Sequence, residues 1–139
     1  MRLLFSIVLV AGVCFTKVSA TGNNPLEKIL TVSVNEKGVI AVGSDTVAID
    51  VLAHYLQDRL FKSYLGTGNM QNRIKFSPEN NTVSEKIIQS VIQEIREGQK
   101  KALTELCLQK YETQFENIDS RKQAKLKKRF PVLFQTDYQ

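Results

Sequence analysis

Apolar and polar positions alternate with a period of two from Ile29 onward, where Leu30, Val32 and Val34 are separated by Thr31 and Ser33, the spacing of a strand with one buried face. Asn35-Glu36-Lys37-Gly38 supplies a turn and Val39-Ile40-Ala41-Val42 resumes the strand, so the pattern predicts a β-hairpin. Gly43-Ser44-Asp45 turns the chain again, and Thr46 to Ile49 lead into a segment with a longer rhythm. There Leu52, Tyr55, Leu56 and Leu60 recur at helical spacing, predicting a helix to about Lys62 with Asp50 near its N-terminal amides. A loop over Ser63 to Asn72 follows.

A second strand-helix unit begins at Arg73. Ile74 and Phe76 lie on one face of a short strand over Arg73 to Ser77, and Pro78-Glu79-Asn80-Asn81 break it. Thr82 and Glu85 have the spacing of a capping box, and Ile88, Val91, Ile92, Ile95, Ala102, Leu103 and Leu106 then form a helical stripe through Gln99. The predicted helix reaches Tyr111, with Gly98 as its one weak point. Ser120 with Gln123 offers a second capping box for a short basic helix that Pro131 ends, and Val132-Leu133-Phe134 adds a candidate terminal strand. The order ββαβα predicts an α+β fold with a small sheet over 29–112 and a helical C-terminal extension over 113–139.

Upstream of this pattern the chain has the form of a secretion signal. Arg2 supplies the positive start, Leu3 to Thr16 form a run of 14 residues without charge, and Val18-Ser19-Ala20 offers small residues for cleavage after Ala20. A spanning helix needs roughly 20 apolar residues, and Lys17 closes the run early, so 1–20 is expected to be a cleaved signal, with a retained short anchor as the alternative. Thr21 to Lys28 is a polar linker.

Loss of Arg2 and Lys17 leaves 17 basic against 14 acidic residues, a net charge of about +3 where the whole sequence carries +5. Cys14 would leave too, and Cys107 alone cannot form an intramolecular disulfide, so a core must hold the fold together.

Few residues carry candidate chemistry. His54 stands alone, with no second histidine and no cysteine at metal-ligand spacing, which favours a structural role. Cys107, beside Leu106, suits a buried inert thiol, with a reactive thiol as the alternative. Asn80-Asn81-Thr82 matches a glycosylation sequon, irrelevant in a bacterium. The chain shows no nucleophile-base spacing and no glycine-rich phosphate loop, so neither an enzyme nor a cofactor is expected. The sharpest charge feature is Arg121, Lys122, Lys125, Lys127, Lys128 and Arg129, six cations in nine residues without an acid. They would attract anionic lipid or cell-wall polymer, but with Asp119 and Glu116 nearby a solvated helix face is the favoured reading; nucleic acid is the poorest partner for a secreted chain.

The order and spacing of these segments resemble the periplasmic domain of ExbD/TolR biopolymer-transport proteins. Ile29 to Val42 looks like its opening hairpin, Asp50-Val51-Leu52 with Leu56 like its first helix, and Arg73-Ile74-Lys75-Phe76 followed by Thr82 to Glu97 like its strand and long second helix. Ala102-Leu103-Thr104-Glu105-Leu106, Gln109-Lys110-Tyr111, Phe115 to Asp119 and Arg129-Phe130-Pro131 resemble the C-terminal extension of ExbD-type proteins in Bacteroidetes. The likeness covers roughly residues 29–135.

The resemblance implies a non-enzymatic cell-envelope protein acting with TonB/Tol-type transport. Its place would be the periplasm, free or anchored at the inner membrane with an ExbB-like channel. Proton coupling in that family uses a membrane-embedded aspartate, whereas residues 3–16 hold no titratable carboxylate, so the implied role is the periplasmic half. That half comprises homodimerisation and contact with TonB-like or ExbB-like proteins or peptidoglycan. An open strand edge and an amphipathic helix are the surfaces for such contact. The candidate contact residues are Val39, Ile40, Ala41 and Val42 of the second strand and Ile88 and Ile95 of the long helix, although the same spacing suits residues that face the protein's own core.

Overall fold

The computed structural model describes residues 28–139; the leader over 1–20 and all but the last residue of the linker lie outside them. The elements are β1 (Ile29–Val34), β2 (Ile40–Val42), β3 (Asp45–Val47), α1 (Ile49–Thr67), β4 (Arg73–Pro78), α2 (Glu85–Tyr111) and α3 (Ser120–Arg129), with 3-10 turns at Phe115–Asn117 and Pro131–Phe134. The fold is α+β, as expected, built on a mixed four-stranded sheet in the order β3-β2-β1-β4. The strands β1, β2 and β3 form an antiparallel meander, while β4 returns parallel to β1 with Ile29 opposite Arg73. A parallel neighbour needs a long crossover, and the chain through α1 supplies it.

One face of the sheet is apolar. Leu30, Val32 and Val34 of β1, Ile40 and Val42 of β2, and Ile74 and Phe76 of β4 are buried together, while Thr31, Lys75 and Ser77 point the other way. Both long helices cover that face: Leu52, Leu56 and Leu60 of α1 and Val91, Ile95, Ala102 and Leu106 of α2 are buried in the same core. Each such side chain contributes roughly 1.5–3 kcal/mol by leaving water. Gly98 is where the helices come closest. A Cβ there would stand 2.9 Å from the Ala53 carbonyl oxygen and 2.9 Å from Leu56 Cβ, so the residue with the poorest helix propensity sits where no other side chain fits.

Several boundaries differ from those read in the sequence. Asp45–Val47 is a strand rather than a turn and lead-in, joined to β2 through Gly43 at φ 61°. Helix α1 continues past Lys62 to Thr67, because Tyr64 packs edge-on against Phe130 with ring centroids 5.5 Å apart and Gly68 then caps the helix in the left-handed conformation. The cap of α2 is Ser84, which accepts from the Ile87 amide; Thr82 instead closes a turn on Asn80. The cap of α3 is Asp119, accepting from the Lys122 amide, and Gln123 bonds the carbonyls of Phe115 and Ile118. Pro131–Phe134 is a 3-10 turn rather than a strand.

The C-terminal extension is not peripheral. Leu126, Phe130, Val132, Leu133 and Tyr138 belong to the same hydrophobic cluster as the sheet and helices. Among the described residues, no helix is long and apolar enough to cross a membrane.

Candidate partner-binding edge

The six candidate contact residues fall in different places, and three of them are withdrawn into the core. Ile40, Val42 and Ile95 are buried in the core, Ala41 and Ile88 are half-buried, and Val39 is exposed just before β2. The assignment of β2 as an open edge is corrected by the topology, since β2 lies between β1 and β3 and both its sides are paired. The spacing that pointed to a contact face on α2 is core spacing at Ile95.

The true edges are β3 and β4, and their main-chain groups can be assigned by alternation. In an antiparallel pair a residue turns its N–H and C=O to one side and its neighbour turns them to the other. Gly43 donates its N–H to the Thr31 carbonyl, so the odd-numbered residues of β2 turn toward β1. Thr46 lies opposite Ala41 and therefore turns both its main-chain groups outward, past the end of the sheet.

On β4 the outward groups belong to Ile74 and Phe76, and the chain's own tail occupies three of the four, the N–H and C=O of Ile74 and the N–H of Phe76. The side-chain amide of Gln135 imitates a peptide unit: its Oε1 accepts from the Ile74 N–H at 2.7 Å and its Nε2 donates to the Ile74 carbonyl at 2.6 Å. The Tyr138 carbonyl accepts from the Phe76 N–H at 2.8 Å, and the Arg73 guanidinium donates to the Gln139 carbonyl at 2.6 Å.

Gln99 holds this tail in place from inside the core. It is 3 % exposed, donates from Nε2 to the carbonyls of Val132 and Gln135, and accepts the Tyr138 hydroxyl at 2.6 Å. The polar position in the apolar stripe of α2 is thus the anchor of the C-terminus. Burial raises the Tyr138 hydroxyl above its ordinary pKa, which keeps it a donor.

The open edge borders a polar groove. Asp45 of β3, Tyr55, Asp58, Arg59, Lys62 and Ser63 of α1, and Gln71 line a hollow of about 550 Å³. The Tyr55 hydroxyl donates to the Asp45 carboxylate, and that hydrogen bond, with some burial, raises the Tyr55 pKa. Lys62 pairs with Asp58 at 2.6 Å. The Oε1 atom of Gln71 is buried with no hydrogen-bond partner among the described residues, an acceptor left for a donor to satisfy.

Other candidate residues carry no site. His54 is exposed on α1, and the described residues hold no cluster of three His, Cys, Asp or Glu that could bind a metal. Cys107 is buried, and burial pushes its thiol pKa up, away from the reactive thiolate.

Compared with known proteins, the chain matches no family model, no curated protein and no solved structure.

Proposed function

We propose that this chain is a non-enzymatic interaction module of a bacterial cell envelope, of the ExbD/TolR type. It acts in or alongside TonB/Tol-type biopolymer transport by receiving an extended segment of a TonB-like protein at the β3 edge. What carries the proposal is the contrast at the sheet ends: among the described residues the outward groups of Thr46 have no partner, while the N–H and C=O of Ile74 and the N–H of Phe76 are covered by the chain's own tail. A strand edge offers main-chain hydrogen bonds to an incoming segment, and the adjoining groove supplies side-chain selection. Asp45 belongs to both the edge and the groove. A hairpin, a helix, a further strand and a long second helix in succession, with β3 between hairpin and first helix, support the reading.

The test is a photo-crosslinking residue at Ser44, which is exposed in the β2–β3 turn, in cells that express the full chain, with fractionation and intact mass of the product. The expected result is a periplasmic chain beginning at Thr21 and an adduct with a TonB-like protein that disappears on Thr46→Pro. Adducts with a second copy alone would reassign the edge to a homodimer, and a cytoplasmic chain retaining Met1 would overturn the proposal.

A further inference from the structure

We propose a second docking surface, separate from the strand edge: the face formed by the end of α2 and the outward side of α3 binds the phosphates of an anionic phospholipid bilayer. Helix α3 turns Leu126, followed by Phe130, into the core, with Gln123 half-buried beside them. At 100° per residue, Arg121, Lys125 and Lys128 then lie on the opposite side of the helix, at i, i+4 and i+7, with Lys122 and Arg129 on one flank. The fold adds what the sequence run lacks, because Lys110 of α2 stands across a groove of about 450 Å³ lined by Lys110, Tyr111, Lys125, Leu126, Lys128 and Arg129.

The charges of this groove are uncompensated. Among the described residues Lys122 pairs with Asp119 at 3.4 Å, but no carboxylate lies within 4.0 Å of Lys110, Lys125, Lys128 or Arg129. Glu112 and Asp119 line the neighbouring hollow together with Lys110 and Lys122, so the cations farthest from any carboxylate are those at the Lys125–Arg129 end. Arg129 is already held in place: its guanidinium donates to the Gly68 carbonyl at 3.2 Å and lies over the Phe130 ring. Restraint of that kind lowers the ordering cost of binding an anion.

The row at i, i+4 and i+7 presents its cations together on one helix face, an arrangement that suits a flat anionic lipid surface. Beneath the rim, the half-buried Tyr111 ring gives the groove an apolar surface suited to the uncharged part of a glycerophosphate headgroup. The chemistry recognised is a phosphate diester, and the bilayer is its source.

Co-sedimentation of the full chain with phosphatidylglycerol-containing and with pure phosphatidylcholine vesicles tests this, the reading being the ratio of the two partition coefficients. The triple variant Lys110→Gln, Lys125→Gln, Lys128→Gln is compared with Lys75→Gln, Lys86→Gln, Lys100→Gln, which removes equal charge from exposed positions elsewhere. Circular dichroism checks that both remain folded. The expected result is a ratio that falls at least about tenfold in the first triple, and less than about twofold in the second, given the attraction of each basic residue to an anionic surface. An equal fall in both triples would reduce the effect to net charge and overturn the surface, as would an absent preference for the anionic vesicles. Binding of inorganic phosphate or of a single-stranded oligonucleotide in preference to vesicles would overturn the bilayer as the source. None of these readings depends on the β3 edge.

Discussion

The two ends of the sheet solve the same problem in opposite ways. At β4 the N–H and C=O of Ile74 and the N–H of Phe76 are met by Gln135 and Tyr138, and the tail that brings them is fastened to Gln99 in the core. At β3 the outward groups of Thr46 meet no other strand. Exposed edges are hazardous because they template pairing with other chains, and short edge strands limit that hazard. The open edge here is three residues long and the sealed one is six. The long edge is thus closed by the protein itself, and the short one stays uncovered by the described residues, bordered by a polar groove.

Breaking the seal should have the largest effect. Gln99→Leu leaves the Tyr138 hydroxyl and the Val132 and Gln135 carbonyls without their shared partner, at a cost of roughly 2–4 kcal/mol in urea unfolding. It should also release the tail and produce concentration-dependent association through β4, visible by analytical ultracentrifugation. Gly98→Ala tests the helix contact that positions Gln99. Helix propensity favours the change by about 1 kcal/mol, but the 2.9 Å approaches to Ala53 and Leu56 impose overpacking of roughly 1–3 kcal/mol, so the midpoint should fall rather than rise.

Tyr138→Phe removes one bond of the seal and should cost about 1 kcal/mol near neutral pH. The folded-state pKa of Tyr138 is raised, chiefly by burial, so its contribution is complete below the unfolded-state value of about 10 and is lost as the pH rises through the folded-state value. Alkaline unfolding of the wild type above about pH 10 should therefore be steeper than that of Tyr138→Phe. The smallest change in stability belongs to Thr46→Pro. It removes an N–H that bonds nothing among the described residues, so stability should move by less than about 1 kcal/mol, while pairing at the β3 edge is lost.

The elements that were legible in the sequence are those whose periodicity is long. The β1–β2 hairpin alternates cleanly, and α2 carries its apolar stripe over more than twenty residues. Strand β3 escaped because Asp45, Thr46 and Val47 bury a single side chain, too short a stretch to show alternation. The end of α1 was placed too early because Tyr64 is held by Phe130, more than sixty residues away. Both caps were misplaced by local competition: Ser84 lies closer to the helix start than Thr82, and Asp119 precedes Ser120 with an equally good acceptor. The contact residues were chosen for apolar character, which at Ile40, Val42 and Ile95 reports the core. Gln99 and Gln135 gave no signal beyond polarity in or near apolar runs, because a glutamine that imitates a peptide unit is recognisable only once the strand it faces is known. The cations of α3 were plain to read, but Lys110 joins them only through the packing of α2 against the extension.

Amide hydrogen exchange measured by NMR on the isolated protein tests the contrast between the two edges most directly. The account predicts that the Ile74 and Phe76 amides exchange only through large-scale opening, while the Thr46 amide exchanges near the rate of an unstructured peptide. Protection of Thr46 in the isolated chain, or rapid exchange at Ile74 and Phe76, would contradict it.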